Sequence, residues 1–478
     1  MRIQMFKKIT SAIISFCFAA GVASASSAST SEKPPIPEDL LFEFTAVPAE
    51  ENAIINWRRA AELEVAPDEK QKQAIKFCWT PAAREPSVEV LDSLKVWLKR
   101  NKEALALFDA SLAKPKAQWP ERNPQNLQPE MVVLARLIRA RLFIADQLAE
   151  QQKFEAAVQS LEDSLKLAQM GIGGDPALIH YLISCGARTM TQDAILRLAA
   201  RKQVPLPLLE RLLADLPSID SETNTYSKIL RVEFTRDYNA TLDLKKLAAD
   251  WSKLSFTNAA LLLFPEECQR PLKVLLDPSL VSFHPKPLDW NLEIEESARH
   301  YRVYRTNAFS AWADRNGEVE LDSVENQTNL LSEIAPLMKL VENEPLPLSR
   351  AAAQKARAAY LEIENPIGRI LDCSISGFIS SDEKVFHSRA EREATRAVLA
   401  LLIFERKKGV LPEKLSDLAY GEILKNIPGD PFSGGSILYS RERRIIWSVG
   451  EDEMDDNGKA GRVRWAGDDA VWQIPELN

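Results

Sequence analysis

Five aspartates near the C-terminal end, Asp452, Asp455, Asp456, Asp468 and Asp469, stand on either side of a glycine-containing loop. Grouped carboxylates are the donors a hard cation such as Ca2+ selects, because it takes about six to eight oxygen ligands from carboxylates and carbonyls. A helix-loop-helix calcium loop does not fit. Starting one at Glu453, with Asp455, Asn457 and Gly458 following, puts Arg464 where a bidentate carboxylate is required. Arg443, Arg444, Arg462 and Arg464 lie in the same stretch, so the aspartates are equally read as a solvated loop neutralised by its own arginines.

Other chemistry-bearing residues are spread thinly. His180, His284, His300 and His387 are the only histidines, and no two share a metal-ligand spacing. His180 falls beside the apolar stripe of a helix expected over 177–199, where a hydrogen-bonded core histidine is the ordinary role and a base the special one. The segment GIGGDP at 171–176 has the glycines of a phosphate loop but neither the Lys-Ser/Thr pair nor a preceding strand. It reads instead as helix punctuation: Gly171 or Gly173 left-handed at the end of one helix, then Asp175 as cap and Pro176 as the start of the next. No GxSxG, HExxH or local nucleophile-base pair is present, so the sequence nominates no catalytic or cofactor-binding residue.

The elements that must position these groups are mostly helical. The chain has 478 residues, and about 150 residues per domain gives two or three domains. It is 45% hydrophobic and 27% charged, as a globular protein is, with a net charge of −8. An acidic balance argues against a nucleic-acid partner, whose affinity needs a cationic face. Residues 1–25 run from a basic start (Arg2, Lys7, Lys8) through an apolar stretch at 9–22 to small residues Ala23, Ser24 and Ala25, the pattern of a cleaved secretory signal peptide. The apolar stretch is shorter than the roughly 20 residues needed to span a bilayer. Export into an oxidising compartment then leaves Cys78, Cys185, Cys268 and Cys373 able to form one or two disulfides, with no CxxC pair to suggest zinc.

Residues 26–49, Ser-rich and then Pro-rich, read as a flexible linker. From 50 to 385 helical periodicity dominates, predicting a helical bundle or helical-repeat array. Its clearest unit is 133–170, two amphipathic helices around Gln151 and Gln152. With Ala157 at the small position of the second helix, Ile144, Ala145 and Leu148 face Leu161 across the pair. The spacing resembles one tetratricopeptide repeat, although Arg141 and Ser164 depart from it and no second copy follows in register. Tyr301, Tyr304, Phe309 and Trp312 recur at helical intervals and are expected in the core.

Near 386 the pattern changes. A helix with Ala394, Ala397, Val398, Leu401, Leu402 and Phe404 stops at Gly409; Pro412, Leu415 and Leu418 follow, then a turn at 430–435 and two alternating runs, 437–440 and 444–449, that read as paired strands. Gly409, Pro412, Leu415, Leu418, Asp430, Pro431, Phe432, Gly434, Tyr439, Ser448, Gly450, Asp452, Asp468, Asp469 and Trp472 together resemble the periplasmic module of the major pseudopilin of type II secretion, over 386–478. This implies a small α/β module. It also implies a calcium-binding terminal loop with Asp452, Asp468 and Asp469 as ligands and Asp455 and Asp456 as further candidates. Pseudopilins open with a membrane-spanning helix, whereas here a secretory signal and a long helical region precede the module. The whole arrangement is similar to a family of secreted bacterial proteins with helical bodies and tails of this kind. The expected protein is therefore extracytoplasmic, periplasmic, envelope-associated or secreted. It binds or scaffolds a protein or peptide partner in the cell envelope; the alternative is a secreted hydrolase with a carboxylate-based site in the helical region, its two carboxyl groups about 5 to 9.5 Å apart.

Overall fold

The computed structural model describes residues 38–78, 88–119, 129–216, 219–248, 290–315, 349, 351–352, 354–355, 358, 383–461, 464–465 and 468–478. The signal peptide, Cys268, Cys373 and His284 lie outside them, as do the side chains of Cys78 and Phe309. The architecture is mainly α, with a small α/β module at its C-terminal end. Among the described residues no helix is long and apolar enough to cross a membrane.

Four helices open the body: α1 (Ala53–Leu63), α2 (Glu69–Cys78), α3 (Val88–Arg100) and α4 (Lys102–Ala110). Asn52 starts α1 by accepting from the Ile54 amide at 3.0 Å, and its side chain also bonds both backbone groups of Gln118 at 2.9 Å. One side-chain amide thus caps a helix and ties it to a segment far along the chain.

The expected linker is held over its described part. Glu38–Leu40 forms one 3-10 turn with Leu40 fully buried, Arg302 and Arg305 donate to the Asp39 carboxylate at 2.9 and 3.0 Å, and the Phe42 amide donates to Thr235 Oγ1 at 2.9 Å. The Ser/Pro composition of 26–37 does not extend to EDLLFEF at 38–44, whose leucines and phenylalanines have apolar surface to bury.

The hairpin at 133–170 consists of α5 (Pro129–Glu150) and α6 (Phe154–Met170), joined where Gln152 takes a left-handed φ of 60°. Ala145, Ala157 and Leu161 are buried between the helices. The two departures from the repeat pattern have local uses: Arg141 donates to Asp163 at 3.0 Å and pairs with Asp109, and Ser164 donates back to the Ser160 carbonyl at 2.7 Å.

The glycine segment differs in detail from its expected geometry. Gly171 is right-handed at −59°, and Gly174 carries the positive φ, +63°. A Cβ at Gly174 would stand 2.0 Å from the Ala117 carbonyl oxygen, so only glycine fits that approach. The next helix, α7 (Leu178–Ala199), begins two residues beyond Pro176, and Asp175 does not cap it. Glu233 does, accepting from the Leu178 amide at 2.6 Å, while His180 Nδ1 accepts from the Ala177 amide at 2.8 Å. A buried carboxylate facing the positive end of a helix satisfies both charges at once.

After α8 (Leu206–Asp215), the long helix α9 (Ile219–Ala248) packs on α10 (Trp290–Phe309). Tyr226, Phe234, Tyr301 and Tyr304 fill the space between them and Leu40 covers one end, so Tyr301 and Tyr304 are core as expected. Trp312 leaves that stripe on a separate 3-10 turn and reaches the module.

Helix α11 (Glu383–Lys408) is the centre of the molecule, packed against α7, α8, α9 and α10 on one side and the module on the other. Its buried residues run almost continuously from Val385 to Ile403, so it is a helix enclosed on all sides and not one with a single docking face. Gly409 ends it at φ +78°, and a short helix α12 (Asp417–Tyr420) follows. The strands β1 (Leu438–Ser440), β2 (Ile445–Ser448) and β3 (Ala470–Gln473) form an antiparallel sheet in the order β1-β2-β3, pairing Tyr439 with Ile446 and Ile446 with Trp472. One apolar core runs from Ala53 in the body through α11 to Ile474 in the module. Position 386, read from sequence as a boundary, falls inside the helix that body and module share.

Candidate functional site

The module's turn is organised by Asp430. Its Oδ1 accepts from the Phe432 amide at 3.1 Å and from Ser448 Oγ at 2.6 Å; its Oδ2 accepts from Ser433 Oγ and the Val449 amide, both at 3.1 Å. With four donors on an almost fully buried carboxylate, Asp430 fixes the turn onto β2 and has no lone pair directed at a ligand.

The acidic loop between β2 and β3 separates the five candidate aspartates. Asp452 accepts from the Met454 amide at 3.1 Å, closing its own turn, and Asp468 pairs with Lys459 Nζ at 3.4 Å. Asp455 accepts from Trp447 Nε1 at 2.9 Å and from the Asn457 amide at 2.8 Å. Asp469 is buried, and its Oδ2 accepts from the Gly458 amide at 2.7 Å, with the Asp456 and Lys459 amides also turned to this carboxylate. Asp469 Oδ1 is buried without a hydrogen-bond partner, and burial followed by the nearby Asp455 charge pushes the carboxyl above its ordinary value. Among the described residues no group of three or more His, Cys, Asp or Glu side chains is gathered to hold a metal. Asp455 and Asp469 approach one another; Asp452 and Asp468 turn to other partners. Arg464, expected near these aspartates, goes elsewhere, and Arg462 lies outside the described residues.

Arg464 reaches Glu391 on α11. Its guanidinium donates to Oε1 at 2.7 Å, the Trp472 indole donates to Oε2 at 2.9 Å, and the arginine lies 5.0 Å over the Trp472 ring. The Glu391 carboxylate therefore clamps β3 and the loop before it onto the central helix. Facing it from α7 is Asp193, whose carboxyl is pushed up to about 6, first by burial and then by the Glu391 charge, against the opposing pull of Arg464 and Arg197.

One turn earlier on α11, His387 Nε2 lies 2.6 Å from Glu451 Oε1, and its ring stacks on Trp465 at 4.2 Å. Burial holds the imidazole below its ordinary value, while its hydrogen bond pulls Glu451 down. Trp312 donates its indole N–H to the Glu451 carbonyl at 2.9 Å, and its ring lies edge-on to Phe386 and Phe432 at 5.0 and 4.7 Å. Phe386, His387, Phe432, Trp465 and Trp312 thus form an aromatic junction between body and module. Of the remaining histidines, His180 is fully buried and stacked on Trp119 at 3.9 Å, and His300 is buried with Arg299 Nη2 3.1 Å from its Nε2. The Cys185 sulfur lies 3.1 Å from Arg188 Nη2, and of the five cysteines in the sequence only this one has a described side chain.

Sequence reasoning passed over Glu391, Asp193, Glu451 and Trp465. The available signal was on α11, where His387, Arg389, Glu391, Arg392 and Glu393 crowd together just ahead of the apolar run from Ala397 to Phe404 on the same helix. Charged residues in such a helix must find partners within the fold. The fold and this junction define a mainly α protein with an α/β module sealed onto its central helix. The chain matches no protein-family profile, no curated protein and no solved structure.

Proposed function

We propose that the chain is an exported binding or scaffolding component of the cell envelope, its α/β module presented by the helical body to a protein or peptide partner. The observation that supports this reading is the shared core: α11 belongs to body and module alike, so the module's outer turns are held at a fixed position. Domains joined by small polar contacts move relative to one another, whereas a large apolar junction suppresses that motion. Tyr420, at the end of α12, is 87% exposed on the module and is a ready contact for a partner. The experiment is fractionation of the producing cell followed by photo-crosslinking from a benzophenone side chain at the exposed position 425 of the module, with Tyr420 left in place. Recovery in the exported fraction starting at Ser26, with one discrete adduct that Gly421-neighbouring surface variants leave intact and Tyr420→Asp removes, supports the reading. An intact Met1 in a cytoplasmic fraction overturns it.

A second reading, hydrolysis, is favoured by one observation: Asp193, raised to about 6, faces the ion-paired Glu391. A carboxyl raised by burial and set near a second carboxyl group is the kind of pair used to cleave glycosidic bonds. Release of soluble fragments from purified cell-wall glycan by the wild type, lost in Asp193→Asn, would establish it.

For calcium, the orphaned Asp469 Oδ1 with Asp455 beside it is the part of the loop that suits a hard cation. A cation there would be held through Asp469 and Asp455, with Asp452 and Asp468 remaining on Met454 and Lys459.

A further inference from the structure

A second region of the body-module junction has a different character. Lys202, in the turn after α7, Glu405, Arg406 and Gly409 at the end of α11, Arg444 before β2, and Glu476 line a cleft of about 520 Å3. Small-molecule sites commonly have about 300 to 1,000 Å3. Three cations face two carboxylates here, on a chain whose net charge is −8.

The ions are not equally matched. Arg444 forms a two-pronged pair with Glu405 at 2.7 and 2.9 Å and donates to the Pro475 carbonyl at 2.7 Å, so this arginine is committed to holding the C-terminal segment. Neighbouring cations outside the cleft also have carboxylates: Arg201 pairs with Glu150 and Lys407 with Glu210, each at 2.6 Å. Among the described residues, Lys202 and Arg406 have no carboxylate within ion-pair distance. Arg406 donates only to the Val204 carbonyl, a neutral acceptor, and burial pulls its guanidinium below the ordinary value. Backbone bonds hold the walls: the Lys202 amide donates to the Asn478 carbonyl at 2.8 Å, and the Asn478 amide to Ala200 at 2.9 Å. Of the two carboxylate side chains that line the cleft, the second, Glu476, is exposed and makes no ion pair among the described residues.

We propose that this cleft binds an anion bearing a phosphate group, held between the Lys202 ammonium and the Arg406 guanidinium. A phosphate monoester carries a charge of about −1.5 to −2 near neutral pH with three acceptor oxygens, which balances two cations and accepts from both a point donor and a planar fork. The cleft is much larger than phosphate itself, leaving space for the group that carries it. Two sources supply this chemistry, a soluble phosphate ester and an anionic lipid headgroup.

The test uses the full mature chain and calorimetric titration with inorganic phosphate and with glycerol 3-phosphate, against chloride at equal ionic strength. Saturable binding is expected, weakened about tenfold by Lys202→Gln, the loss of one charge-assisted contact. Arg406→Lys, which keeps the charge and removes the fork, should weaken it as well, and Lys407→Gln should not. Co-sedimentation with phosphatidylglycerol vesicles, compared with phosphatidylcholine vesicles, identifies the source: Lys202-dependent retention assigns a lipid headgroup, and binding of the soluble ester alone assigns a free ligand. Absence of saturable binding to both soluble probes and to anionic vesicles overturns the proposal, as does binding that survives Lys202→Gln and Arg406→Lys unchanged.

Discussion

The acidic β2–β3 loop and the charged stretch of α11 use the same residue types to opposite ends. On the loop, Asp452 and Asp468 bond partners within about ten positions along the chain, at the surface. On α11, Glu391 is bonded to Arg464 and Trp472, 73 and 81 positions away, and His387 to Glu451, 64 away. A solvated carboxylate with a local partner contributes little, because water competes and the chain gains no new constraint. A carboxylate enclosed in a helix core, with every donor supplied from another segment, becomes costly as soon as one partner is removed. Density of charge in the sequence therefore points to the loop, whereas the energetic weight lies in the helix.

The comparison predicts an ordered series of effects. Glu391→Ala should cost most, about 4 kcal/mol in urea unfolding, because it leaves the Arg464 guanidinium and the Trp472 indole without their acceptor. Glu391→Gln, which keeps an acceptor for the indole, should recover part of that loss; equal losses in the two variants would show that packing alone sets the effect.

Asp430→Ala comes next, at about 3 kcal/mol, since four donors on one buried carboxylate lose their partner together. Asp430→Asn should fall between it and wild type. A value near zero for the alanine variant would mean that the turn forms without this residue and that the module's entry onto β2 is fixed by packing.

Acidity separates the two regions further. Asp193 is raised from 3.8 to about 6 in the folded chain, so folding favours its protonated form. This contribution is fully present below 3.8 and is lost as pH rises through about 6; its size is on the order of 3 kcal/mol. His387 acts in the opposite sense. Its folded value is lowered from 6.5, and the stability it contributes is present above 6.5 and falls away as pH drops. The difference between wild type and Asp193→Asn isolates the first term: the variant should gain stability relative to wild type as pH is raised from 4 to 7. A difference that does not change with pH would remove Asp193 from the junction's charge balance.

The smallest effect belongs to the loop. Asp468→Ala should change stability by less than about 0.5 kcal/mol, as expected for an exposed pair with Lys459. Calcium sharpens this contrast. If it binds at Asp469, it adds about 2.7 kcal/mol when present at a hundredfold above Kd, magnesium adds less, and the gain disappears in Asp469→Asn but survives in Asp468→Ala. Melting with calcium and with chelator, giving equal midpoints in wild type, would leave the loop as a purely solvated one.

Several features were legible because their causes are local. Gly409 ends α11 because the residue after a helix commonly turns left-handed, which glycine does without steric cost, and Gln151–Gln152 marks the turn of the α5–α6 hairpin between two apolar periodicities. The β1–β2 hairpin follows from alternation, and the mainly helical class follows from the spacing of apolar residues over most of the chain. The cap of α7 was misread for the converse reason. Asp175 stands at the right place in sequence, but Glu233 on α9 supplies the carboxylate, and a partner 55 positions away leaves no trace in local spacing.

The candidate site divides in the same way. Asp452, Asp455, Asp456, Asp468 and Asp469 announce themselves as a cluster because they are close along the chain. Their directions in space, Asp469 inward beside Asp455 and Asp468 outward to Lys459, depend on how β3 pairs with β2. By itself the sequence determined the helices, the hairpin turns and the existence of an α/β tail, since each rests on interactions within a few residues. Only the tertiary structure decided that α11 is enclosed by both parts, that the Glu391 charge acts on Asp193, and that Lys202 and Arg406 line one cleft. Those pairings join segments many tens to hundreds of residues apart. Bringing such segments together is opposed by chain entropy and is driven by burial of the shared apolar core, which no local pattern of residues records.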